Sequence, residues 1–280
     1  MPAFRQQQQH LRQQQRCSCG ASIAAARRSR LIAGMTTSKA AGAATDAQRS
    51  VADAVDFARL TALLLDIDGT LTDSDPLHLK AFQEALVARN FNGGAPIDEI
   101  FYRTRISGRH NPEIARDLLP HFPEAEQVEF YEWKEARFRE LAAGGALEPM
   151  RGLFAFLDWA RDRGLRHAAV TNAPAANTDL MLAGIAVRDR FEHVVLGERC
   201  TRAKPHPDPY LEAARLLSVD PRTSLVVEDS PSGVKAGVAA GAVVVGITTS
   251  QPAEVLLEAG ACCVIEDFEQ LLAAAKAQGL

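Results

Sequence analysis

The apolar positions of this chain fall into short runs that alternate with longer, helically spaced stretches. Ala62-Leu63-Leu64-Leu65-Asp66 is an apolar run ended by an acid and a turn, the form of a strand buried on both faces. Similar runs predict strands at Arg166–Thr171, His193–Leu196, Ser224–Glu228, Val243–Ile247 and Cys262–Ile265. Between them lie patterns that predict helices over Gly152–Arg163, Ala175–Ala183, Asp208–Leu217, Ser232–Ala240 and Pro252–Glu258. Each is one crossover long, which implies an α/β fold: a doubly wound parallel sheet with helices on both faces.

One block breaks the alternation. Between the first and second strands the pattern is helical throughout, over Leu77–Arg89, Pro96–Arg105, Asn111–Leu119 and Glu124–Ala143. A purely helical block at that point reads as an inserted domain, with Pro149 and Gly152 marking the return to the sheet. The expected division is an α/β core of residues 59–75 and 148–280, a helical cap of residues 76–147, and a disordered leader and linker over residues 1–58.

Composition adds detail at the amino terminus. Residues 1–45 contain no Asp or Glu but carry Arg5, Arg12, Arg16, Arg27, Arg28, Arg30 and Lys39 among Ala, Ser and Gln. That acid-poor, Arg- and Ser-rich make-up reads as a transit peptide, implying a plastid or mitochondrial address. A disordered Gln-rich tail is the alternative. Initiation at Met35 would remove most of the segment and leave a cytoplasmic protein. The net charge of −4 lacks the basic excess that nucleic acid or an anionic membrane requires. No apolar run approaches the roughly 20 residues of a membrane span. The five cysteines are odd in number and scattered, Cys17 and Cys19 lack partners for a metal site, and a reducing compartment and a monomer are expected.

Candidate chemistry collects at strand ends. Asp66 and Asp68 flank the end of the first strand, where open α/β sheets bind ligands, and Gly69 permits a sharp turn after them. A lone Asp-x-Asp is commonly only turn chemistry. Here it is matched by Thr171-Asn172 closing the second strand, Lys204 in a proline-stiffened loop, and Glu228-Asp229 closing the fourth. Thr171 and Asn172 offer hydrogen bonds to phosphate oxygens. Asp66, Asp68 and Asp229, with Glu228 beside them, offer hard oxygen ligands suited to Mg²⁺. Asp66 is then a candidate nucleophile on phosphorus and Asp68 the acid and base that serves the leaving oxygen and the incoming water. Lys204 would screen the charge.

Asp66-Ile67-Asp68-Gly69-Thr70, Thr171-Asn172, Lys204-Pro205 and Glu228-Asp229 together resemble the motif set of the haloacid dehalogenase-like hydrolase superfamily, over residues 60 to about 270. The resemblance implies a Rossmann-like core with a small helical cap, Mg²⁺ as cofactor, and phosphoester hydrolysis through an aspartyl-phosphate. The second acid disfavours dehalogenase chemistry. Asp73-Ser74-Asp75-Pro76-Leu77-His78 is similar to the phosphoglycolate phosphatase and beta-phosphoglucomutase subgroup. With Gly108-Arg109-His110-Asn111 and Val170-Thr171-Asn172-Ala173-Pro174, it resembles plant small-sugar-phosphate phosphatases more closely.

Cap candidates for substrate contact are His78, Gly108, Arg109, His110, Asn111 and Lys134. Lys134, within Glu132-Trp133-Lys134-Glu135, reads equally well as a solvated helix face. An arginine that grips a second phosphate in the mutase relatives falls where Asn111 stands, which favours hydrolysis. The expected substrate is a small phosphorylated metabolite, a sugar or sugar-alcohol phosphate. Phosphoglycolate hydrolysis, a mutase and a non-catalytic sugar-phosphate sensor are the alternatives.

Overall fold

The computed structural model describes residues 50–280. The Arg-rich leader, with Cys17, Cys19 and Met35, lies outside the described residues. Six parallel strands form one sheet in the order β3-β2-β1-β4-β5-β6, with β1 Ala62–Leu65, β2 Arg166–Thr171, β3 His193–Leu196, β4 Ser224–Glu228, β5 Val243–Ile247 and β6 Cys263–Ile265. Strand order reverses beside β1, since β2 and β3 extend to one side and β4 to β6 to the other. That reversal opens a crevice at the carboxyl ends of β1 and β4, the usual ligand position in such sheets. Leu65 is in register with Ala169 and Val227, so Asp66, Thr171 and Glu228 emerge along one edge.

Both faces of the sheet are buried, which is why its strands are apolar without alternation. Leu63, Leu65, Ala169, Leu225 and Val227 point into one core with Phe156, Met181 and Phe268. Ala62, Leu64, Val170, Val226 and Val244 point into the other with Tyr210 and Val234. The helices on the sheet are Leu153–Asp162, Ala175–Gly184, Asp208–Leu217, Pro231–Ala239, Ala253–Glu258 and Phe268–Ala277. The last of these is absent from the sequence-based expectation. Asp267 caps it, accepting from Gln270 N at 3.2 Å, and Phe268, Leu271 and Ala275 seat it on the core.

Between β1 and β2 the regular elements are helical: Asp75–Ala88, Glu99–Arg105, Asn111–Leu118 and Glu124–Ala142, with a short 3-10 turn at Phe91–Gly94. They enclose a small core of their own, built on Phe82, Leu86, Tyr102, Ile114 and Phe130. One boundary differs from expectation. Residues 51–58, expected to belong to a disordered linker, are part of the fold: Val51–Ala54 is helical, capped by Ser50, and Val55 and Phe57 are each 1% exposed. Gln278, at the far end of the chain, donates to Ala52 O and Val55 O and accepts from Phe57 N at 3.1 Å.

Candidate active site

Lys204 is the hub of the strand-end cluster. Its Nζ donates to Asp66 Oδ1 at 2.6 Å, Glu228 Oε1 at 2.6 Å and Val170 O at 2.7 Å, all buried. Tyr210 OH donates to the same Glu228 oxygen at 2.6 Å. The Asn172 side chain brackets the lysine backbone, donating to Lys204 O and accepting from Lys204 N, each at 3.1 Å. One of its two amide hydrogens thus braces the lysine loop, and Asn172 also lines the crevice, where the sequence offers its amide to phosphate. Thr171 Oγ1 accepts from Ala173 N at 3.0 Å, leaving its hydroxyl hydrogen to donate into the crevice.

Asp66, Glu228 and Asp229 bring carboxylate oxygens within 4.8 Å of one another. Glycines make the approach possible: a Cβ on Gly69, which sits at φ +69°, would overlap the Asp229 carboxylate, and one on Gly233 would overlap Glu228. Three buried carboxylates against one lysine leave negative charge uncompensated. Burial, then the Glu228 charge, pushes the Asp66 carboxyl up to about 8 although Lys204 works to lower it. Burial and then Asp66 and Glu228 hold Asp229 well above the carboxylate range. Burial would depress Lys204, but Asp66 and Glu228 outweigh it and raise the ammonium above its ordinary value. This set of hard oxygen donors with excess negative charge fits a divalent cation.

Asp68 is directed elsewhere. Its Oδ1 accepts from Ser74 Oγ at 2.6 Å and lies 3.0 Å from His78 Nε2, both at the start of the helical insertion. Those two bonds turn the carboxylate toward the cap, and it takes no part in the three-acid cluster expected to include it. Burial would raise its pKa, but the His78 charge and hydrogen bond, aided by Ser74, lower it.

The crevice between sheet edge and insertion holds a cavity of about 100 Å³ lined by Asp66, Asp68, His78, Lys134, Lys204 and Asp229, among others. Gly108, Arg109 and Asn111 reach it from the cap, whereas His110 precedes the helix Asn111–Leu118 without a side-chain capping bond and is not among the lining residues. Gly108, at φ +72°, lets the cap loop pass against Ser230. Arg109 Nη1 donates to Asp117 Oδ2 at 3.0 Å and Arg105 O at 2.7 Å. Lys134 does not face solvent; it is 3% exposed, with Nζ 3.1 Å from His78 Nδ1 and 2.8 Å from Glu135 Oε1. Sequence reasoning passed over Ser74, Glu135, Asn177 and Tyr210. Spacing could have found Glu135 only through Lys134, which follows Phe130 by one helical turn on the buried stripe.

Residues 60–241 match the family model described as haloacid dehalogenase-like hydrolase. The phosphorylated carbohydrates phosphatase of Thermotoga maritima is 30% identical over 223 residues, 76% of this chain and 97% of that protein. Beta-phosphoglucomutase of Mycobacterium tuberculosis is 32% identical over 241 residues, 76% of this chain and 92% of that one. The crystal structure of CbbY from Rhodobacter sphaeroides in complex with phosphate has a TM-score of 0.67 and 27% identity, covering 77% of this chain and 98% of that chain. The family model, together with relatives named as phosphatases, defines the class as phosphoric monoester hydrolase. The chain belongs to the haloacid dehalogenase-like hydrolases.

Proposed function

We propose that the chain is a magnesium-dependent phosphatase of small sugar or sugar-alcohol phosphates that works through an aspartyl-phosphate on Asp66. The observation that carries this reading is the division of labour between two acids at one strand end. Asp66 lies against Lys204 on the sheet floor, and Asp68 is held by Ser74 and His78 at the cavity wall. Asp66 attacks phosphorus as the ester P–O bond breaks, and Asp68, ionised until a proton reaches it from His78 Nε2 at 3.0 Å, passes that proton to the leaving oxygen. Asp68 then takes a proton from the water that attacks the aspartyl-phosphate, releasing inorganic phosphate and restoring both acids. The Thr171 hydroxyl would donate to a phosphoryl oxygen, and Lys204, its three hydrogens given to Asp66, Glu228 and Val170 O, would act on the phosphate through its charge. Asp66, Glu228 and Asp229 would hold the magnesium ion, whose charge keeps Asp66 ionised and screens it from the phosphate.

Substrate class follows from size and from kinship. The cavity suits a small ester, and relatives include a protein named hexitol phosphatase A in Escherichia coli, 32% identical over 191 residues. Other relatives bear the names phosphoglycolate phosphatase and beta-phosphoglucomutase. Against the mutase, Asn111 spends its amide on Glu135 at 2.6 Å and leaves no guanidinium at that point for a second phosphate. A phosphate-release panel of hexitol, hexose and pentose monophosphates beside phosphoglycolate tests the reading, with Mg²⁺ and with EDTA. Mg²⁺-dependent release that is highest on sugar or polyol esters is expected. Preferential phosphoglycolate turnover, an isomerised product, or activity indifferent to chelation would refute it.

A further inference from the structure

Glu135 lies on the long cap helix, yet it is 6% exposed and each of its oxygens is bonded. Oε1 accepts from Lys134 Nζ at 2.8 Å and Asn111 Nδ2 at 2.6 Å, and Oε2 accepts from Asn177 Nδ2 at 2.5 Å. Asn177 belongs to the core, in the first turn of the helix Ala175–Gly184 that follows Thr171-Asn172. Its Oδ1 accepts from Arg139 Nη1 at 2.8 Å. One core amide is therefore gripped by two residues a helical turn apart on the insertion. A buried carboxylate is costly unless its charge and lone pairs are met, and here both are.

The same carboxylate controls its neighbour. Lys134 Nζ sits 4.3 Å from the Phe82 ring centroid and 3.1 Å from His78 Nδ1, and the His78 ring stacks on Phe138 at 3.8 Å. With Glu135 as counter-charge, Lys134 rests against the back of His78, whose other nitrogen meets Asp68. Without that charge, the next carboxylate along this relay is Asp68 itself, and an ammonium bound there would hold that carboxylate ionised and turned away from the leaving oxygen.

We propose that Glu135 is a positioning residue: joined to Asn177 across the crevice, it keeps Lys134 on His78 and off Asp68, so that docking of the insertion aims Asp68 at the leaving oxygen. The inference rests on the role of Asp68 as general acid proposed above. A leaving-group comparison separates this role from a merely structural one. An alkyl phosphate such as a hexitol monophosphate needs a proton on its departing oxygen, whereas 4-nitrophenyl phosphate departs as a stable phenolate. The constant to compare is kcat/KM, which reports the first phosphoryl transfer, and the ratio between esters cancels any change in the folded fraction. In full-length enzyme with Mg²⁺, Glu135→Gln and Asn177→Ala should each lose at least about tenfold more on the alkyl than on the aryl ester, a modest share of what a general acid supplies. Equal losses on both esters, or wild-type rates on both, would overturn the proposal. A wild-type enzyme that released phosphate from neither ester would overturn the phosphatase reading beneath it.

Discussion

Asp66→Asn should abolish turnover and yet stabilise the metal-free protein, increasingly so as pH rises. The Asp66 carboxyl moves from an ordinary value of 3.8 to about 8 in the fold, chiefly through burial and the Glu228 charge. An acid that binds its proton more tightly when folded favours the fold at low pH. That advantage disappears as pH climbs from the unfolded value through the folded one. Between pH 5.5 and 7.5 the unfolded chain has released this proton and the native chain mostly keeps it. Wild-type stability therefore falls by up to about 1.4 kcal/mol per pH unit from this group, or about 2.5 kcal/mol across the window. An asparagine carries no such proton. Remote titrating groups, such as His167 with its pKa lowered by burial, are common to both proteins and largely cancel in the difference, whereas Asp229 loses the Asp66 charge that helps raise it, which widens the gap in the same sense. Urea unfolding of both proteins in EDTA at three pH values gives that difference directly. A gap that stays flat or narrows with rising pH would refute the electrostatic account of the cluster. Adding Mg²⁺ at pH 7.5 should close much of the gap, because a ligand at about 100 times its Kd contributes about 2.7 kcal/mol to the state that binds it.

Lys204→Met leaves Asp66, Glu228 and Val170 O without their shared donor. It should lower kcat by at least about a hundredfold and destabilise the fold by about 3–5 kcal/mol. Activity within tenfold of wild type would remove the lysine from the centre of the site. Phe57→Ala tests whether residues 51–58 belong to the fold. It empties a fully buried ring site beside Trp159 and should cost about 3–5 kcal/mol in a urea titration. A loss below about 1 kcal/mol would return that segment to the linker.

What was legible in the sequence, and what was not, follows one physical line. Asp66, Thr171 and Glu228 are each announced by an apolar strand that ends on a polar residue, and a parallel sheet with both faces covered brings such ends to one edge. The strand run and the turn together say where the side chain goes. Lys134 and Glu135 carry no such mark. They stand mid-helix among charges, and the local cue pointed outward, yet Trp133 is the one that is 42% exposed. The buried stripe runs Phe130, Lys134, Phe138 and Ala142, four residues apart, so helical spacing does place Lys134 inside once its charge is ignored. Ignoring it is permissible only if a counter-charge and the neutral partners Asn111 and Asn177 are waiting, and Asn177 arrives from another element 42 residues on. Residues 51–58 pose the same difficulty: their anchor, Gln278, lies 221 residues from Phe57. A buried charge at a strand end can be inferred from the segment that bears it. One in mid-helix is stable only through its partners, so its burial is a property of the assembled pair and stays hidden until both sides are known.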